Sequence, residues 1–84
     1  MDFTKLQNLL DEQMNWPAKY DFKFVVKSDK KDDVLAHLSD HTNTQKLSKT
    51  GKYTSITSTK LHVSSDDIIA VYKRVSKVEG VITL

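Results

Sequence analysis

The clearest signal in the chain is an alternation. From Tyr20 to Lys27 the residues Tyr20, Phe22, Phe24 and Val26 interleave with Asp21, Lys23, Val25 and Lys27, the period of a strand with one face in a core and one toward water. This places Phe24 inward and Lys23 on the open side. Ahead of it, Phe3, Leu6, Leu10 and Met14 recur at three and four residues with Leu9 beside them, an apolar stripe that predicts a short amphipathic helix. Trp16-Pro17 stops that helix, and Trp16 is placed as the anchor where it meets the sheet.

After the first strand, Ser28 and Asp29 are good helix caps, and Asp32 and Asp33 put negative charge in a first turn ahead of Val34, Leu35 and Leu38. A helix from about Asp29 to about Asp40 follows. Asn43 to Ser48 and Lys52 to Val63 read as two strands of a hairpin turning at Thr50-Gly51, where glycine supplies a positive φ. In the longer of these strands Thr54 and Ile56 share one face while Leu61 and Val63 fall on the other. A β-bulge near Ser58 to Lys60 restores the phase; without one, the strand twists off the core. Ser64-Ser65-Asp66-Asp67 resembles a capping box with Asp in place of Glu, and Ile68, Val71, Tyr72, Val75 and Val78 line the helix it opens. Gly80 is expected as its C′ residue, before a terminal strand from Val81 to Leu84.

Past the leading helix the order is β-α-β-β-α-β, the ferredoxin-like pattern of the α+β class. Right-handed crossovers put the first and third strands at the centre of a four-stranded antiparallel sheet, with two helices on one face and the other face uncovered. Residues 1–84 form one domain, a leading helix over 1–15 and a βαββαβ core over 16–84. Phe22, Phe24, Val26, Val34, Leu38, Ile56, Ile68, Tyr72 and Val75 are its expected core, and the Tyr72 hydroxyl needs a partner or water.

Composition narrows function more than fold. At 84 residues, with 38% hydrophobic and 29% charged residues, the chain is globular, with room for a single core. Cysteine is absent, which excludes disulfides, thiolate nucleophiles, iron-sulfur clusters and thiolate-bound zinc. No apolar run is long enough to span a bilayer and Met1-Asp2-Phe3-Thr4 is no signal-peptide start, so no membrane partner is expected and the cytoplasm is the default address. The net charge of +2 implies no partner by itself. Its distribution is uneven: between His41 and Ser65 there is no acidic residue, while Lys46, Lys49, Lys52 and Lys60 fall in that window.

The run Trp16-Pro17-Ala18-Lys19-Tyr20-Asp21-Phe22-Lys23-Phe24-Val25-Val26 resembles the lead-in to the first strand of the YbeD-like proteins, small bacterial proteins of uncharacterised function. Gly51-Lys52-Tyr53-Thr54-Ser55-Ile56-Thr57 is similar to their hairpin. Asp67-Ile68-Ile69-Ala70-Val71-Tyr72-Lys73 through Val78-Glu79-Gly80-Val81-Ile82 is similar to their last helix and strand. The resemblance implies a ferredoxin-like fold related to the regulatory ACT domains and no enzymatic activity, and it carries over no catalytic residue. Ser58 and Lys60 depart from it, standing at positions that are usually less polar.

Candidate chemistry is thin. Asp33, His37 and His41 fall at i, i+4 and i+8, a spacing that could present metal ligands on one helix face. No further ligand joins them, and a solvated helix face accounts for all three, so no metal and no cofactor are expected. Asp66 and Asp67 are explained by a helix start, and His62 near Ser64 reads as a surface residue at a strand end rather than part of a triad. The ACT-like alternative, a small-molecule sensor, meets a first loop, Lys27-Ser28-Asp29-Lys30, without the glycine such sites use.

The open sheet face remains. Lys23, Val25, Tyr53, Ser55 and Thr57 are its expected outward positions, and Lys46, Lys49 and Lys52 are a possible anion or nucleic-acid contact. One ring, Tyr53, is not a base-stacking platform, so nucleic acid is the weaker reading. The expectation is a non-enzymatic binding or regulatory module working through protein contacts, with homo-oligomerisation across the open face or an edge strand.

Overall fold

The computed structural model describes residues 3–84; the first two residues of the expected leading helix lie outside them. The elements in order are α1 (Thr4–Gln13), β1 (Ala18–Lys27), a 3₁₀ turn (Ser28–Lys30), α2 (Lys31–Ala36), β2 (Thr42–Leu47), β3 (Tyr53–His62), α3 (Ser65–Val75) and β4 (Ile82–Thr83). The four strands form an antiparallel sheet in the order β2-β3-β1-β4, so β1 and β3 are central as the crossover rule requires. This is the α+β, ferredoxin-like arrangement expected from the sequence.

The alternation in β1 sorts the faces. Phe22, Phe24 and Val26 are buried, while Asp21, Lys23 and Lys27 are exposed. Against the inward side pack Val34 and Leu38 with Ile68, Ile69, Val71 and Val75 from α3, Leu10 from α1, and Val78. All helices therefore cover one face, and Trp16 packs partly buried against the same core. The Tyr72 hydroxyl finds its partner in the Tyr20 hydroxyl at 2.7 Å. Burial and that neighbour hold the Tyr72 hydroxyl above its ordinary titration range.

Five local expectations are corrected. No bulge interrupts β3, since its pairing with β1 runs unbroken from Ala18↔His62 to Lys27↔Tyr53. Thr54, Ile56, Ser58, Lys60 and His62 thus share the inward face, and Leu61 and Val63 point outward, 54% and 72% exposed. His62 is fully buried rather than a surface residue. The first crossover helix is shorter than expected, because Leu38 N–H donates to Leu35 O and His41 N–H to Leu38 O in tight turns after Ala36. Asn43 Nδ2 then caps the end by donating to Leu38 O at 2.9 Å. Ser28 caps no helix; its hydroxyl bonds Gly51 O and Thr54 Oγ1, tying the end of β1 to the hairpin. Gly80, with φ 77°, lies well past the end of α3 at Val75 and turns the chain into β4.

The hairpin and last-helix starts match expectation. Gly51 has φ 73°, and Ser64 Oγ accepts the Asp67 N–H at 3.3 Å. Asp67 gives only half a capping box, because its carboxylate turns to His62. Ser64→Ala is expected to cost about 1 kcal/mol, a fall of roughly 4 to 8 °C in a thermal melt followed by circular dichroism.

Candidate functional site

Two groups of side chains stand out, one on each side of the sheet. On the open face the ladder sets residues in rows. Lys23, Thr57 and Thr44 are neighbours across β1, β3 and β2, and Val25, Ser55 and Lys46 form the next row. Ile82 joins the second row from β4, and Leu84 follows, its N–H donating to Lys23 O. These residues surround a depression of about 360 Å³ lined by Lys23, Thr44, Lys46, Ser55, Thr57 and Leu84. Lys19, Lys23, Lys27 and Lys46 project from this face, with Asp21 as its carboxylate, held by Thr59 Oγ1 at 2.8 Å. At the far end lies exposed Leu61.

All five expected outward positions, Lys23, Val25, Tyr53, Ser55 and Thr57, lie here together. The expected lysine group does not stay together. Lys46 is on the face, Lys49 sits in the hairpin turn, and Lys52 lies over the Tyr53 ring at 5.8 Å. Thr44, Ile82 and Leu84 were not anticipated, since β2 carries no apolar alternation and β4 has two residues.

The second group lies inside, and the sequence reading missed it. His41 and His62 have ring centroids 5.5 Å apart, and the Phe22 ring lies 5.8 Å from the first and 5.5 Å from the second. His41 Nδ1 is 2.9 Å from Asp40 Oδ1, and His62 Nδ1 is 2.7 Å from Asp67 Oδ2. Carboxylates only accept, so Nδ1 is the donor in each pair, and Nε2 of each ring is left without a partner among the described residues. Lys60 Nζ completes the outer edge by donating to Asp40 Oδ2 at 2.8 Å. That bond, with the one from His41, holds the Asp40 carboxyl far below the usual range, and the same contact raises Lys60. Burial pushes His41 below its ordinary value, against the pull of Asp40.

Among the described residues, the buried side-chain atoms without a partner are His41 Nε2, Asn43 Oδ1, Ser58 Oγ and His62 Nε2, all on neighbouring positions of β2 and β3 and the turns beside them. Both imidazoles are closed to solvent, with 0% side-chain exposure, so no substrate reaches them as a base. α2 ends at Ala36 and His41 lies buried beyond it, so Asp33, His37 and His41 do not share one helix face. No cluster of three metal-type side chains occurs among the described residues.

A recess of about 620 Å³ lies between α1, the end of α3 and β4, walled by Phe3, Leu6, Tyr72 and Val81. Glu79 is its carboxylate, and no basic side chain lines it among the described residues. At the first loop a smaller recess of about 310 Å³ gathers Lys27, Asp29, Lys30, Tyr53 and Gly80, so a glycine does reach that loop, from another part of the chain.

The architecture is that of a small ferredoxin-like α+β domain with helices on one face and a cationic sheet on the other. The chain belongs to the DUF493 family, described as proteins of unknown function, whose model matches residues 11–84. This agrees with the YbeD-like resemblance of its strands and last helix. No match was found among curated proteins or among solved structures. No helix among the described residues is long and apolar enough to cross a membrane.

Proposed function

We propose that the domain is a non-catalytic docking module whose open sheet face receives an acidic protein surface. The observation that carries this reading is the excess positive charge of that face, four lysines against Asp21. Lys23, Lys27 and Lys46 stand around Val25, Ile82 and Leu84, with Lys19 farther along β1, and Lys23 and Lys46 have no ion pair among the described residues. Complementary charge steers and orients a partner, while the half-buried Val25 and exposed Ile82 and Leu84 supply apolar contact. The same charge argues against a second copy face to face, because Lys23 and Lys46 would meet their own kind. Tyr53, a lone ring at one end, gives little for base stacking, worth about 1 to 3 kcal/mol per base where rings are present.

The test compares the full chain with a Lys23→Glu, Lys46→Glu double variant in affinity capture from nuclease-treated extract, read by mass spectrometry. An acidic protein is expected on the wild type, released by high salt and absent from the variant, with light scattering giving a monomer for both. Equal capture by both chains, capture lost to nuclease, or a wild-type dimer that the variant dissolves would overturn the proposal.

A further inference from the structure

We infer that the depression on the open face is a cradle for paired carboxylates, and that the partner presents them on an extended segment as acidic residues at alternate positions. This rests on the docking reading above and specifies the chemistry it recognises. Three hydroxyls, from Thr44, Ser55 and Thr57, form the floor between two ammonium groups, Lys23 at one corner and Lys46 at the diagonal corner. None of these five side chains hydrogen-bonds or ion-pairs among the described residues. The neighbouring row behaves differently, since Thr59 and Asp21 satisfy one another. The cradle is thus the part of the face whose polar groups are left for something else.

Spacing selects the ligand. Lys23 and Lys46 are two strand spacings apart across the sheet and two residues apart along it, so their Cα atoms stand roughly 12 Å apart. Their flexible stems leave the ammonium groups free to close on two carboxylates roughly 7 Å apart, the repeat between same-face side chains of an extended peptide. Each ammonium then meets one carboxylate, and the hydroxyls donate to the remaining oxygens. A phosphate is a poorer match. Its dianion is recognised by guanidinium forks or free backbone N–H groups, whereas here the amides of β1 and β3 are spent in the ladder and no arginine lines the depression.

The probe is an end-blocked Glu-Val-Glu-Val-Glu peptide, titrated into the full-length isotope-labelled chain and followed by amide chemical shifts. Shifts are expected at Lys23, Thr44, Lys46, Ser55 and Thr57. Lys23→Ala and Lys46→Ala should each weaken binding about two- to five-fold, the range for exposed ion pairs, while Lys49→Ala in the hairpin turn leaves it unchanged. Equal binding of Gln-Val-Gln-Val-Gln, shifts confined to other residues, insensitivity to both lysine variants, or displacement by equimolar inorganic phosphate or oligothymidylate would overturn the inference. Should the peptide fail while protein capture still depends on Lys23 and Lys46, the carboxylate pairing is wrong and the docking face stands.

Discussion

Phe22→Ala is expected to remove about 3 to 5 kcal/mol of stability, a large part of the roughly 4 to 13 kcal/mol available to a domain of this length. The ring is fully buried at the centre of an aromatic cluster, 4.9 Å from both Tyr20 and Tyr72 and 5.9 Å from Phe24. It also forms the apolar side of the His41 and His62 pair, so its loss opens a cavity beside two unpartnered nitrogens. Urea unfolding followed by circular dichroism gives the comparison. The midpoint should fall steeply for Phe22→Ala and stay within about 0.5 kcal/mol of the parent for Lys23→Ala, one residue away on the exposed face. Equal midpoints for the two variants would mean that the assigned faces of β1 are reversed.

That contrast was legible in the sequence because β1 is central and its two faces meet different solvents. Its apolar and polar residues must alternate, and they do. The hairpin was legible for an equally local reason, since Gly51 takes a φ that other residues avoid. β3 misled because residue polarity is a poor guide where the interior itself is polar. Its phase is set by ten consecutive pairings with β1, and those turn Ser58, Lys60 and His62 inward while Leu61 and Val63 face out. What makes this tolerable lies elsewhere in the chain. Asp67 accepts a hydrogen bond from His62 Nδ1, and Asp40 accepts one from Lys60 Nζ, so the ammonium group of this half-buried lysine is paired. A bulge would spare two apolar residues from water, whereas the domain exposes them.

The candidate face divides the same way. Lys23, Val25, Tyr53, Ser55 and Thr57 followed from period-two counting along β1 and β3. Thr44 and Lys46 could not be placed by that counting, because β2 is an edge strand whose residues are nearly all exposed on both sides. Only its register with β3 shows that Thr44 and Lys46 share the open face. Leu84 is beyond any sequence pattern, since it is set there by one backbone bond to Lys23.

Acidification is expected to destabilise the domain well before its carboxylates titrate. His41 has its folded pKa lowered from 6.5 by burial, so above 6.5 both folded and unfolded chains hold it neutral and stability is at its full value. Below that, the unfolded chain binds a proton that the folded chain refuses, and stability falls, by at most about 1.4 kcal/mol per pH unit, until the folded ring titrates in turn. The groups facing the ring set this balance. Asp40 favours the charged form, while His62 at 5.5 Å and Lys60 across Asp40 oppose it. Asp40 itself is held low, so its own contribution is lost only as pH falls below its ordinary 3.8, outside this window. The measurement is a series of urea midpoints from about pH 7.5 to about pH 5, on the wild type and on His41→Phe, which keeps an aromatic ring against Phe22 without a titrating nitrogen. The wild type should lose stability across the series and His41→Phe should lose most of the slope. A wild type equally stable at both ends would mean that the folded domain carries His41 charged, with Asp40 as its counter-ion, and that burial does not govern this pair.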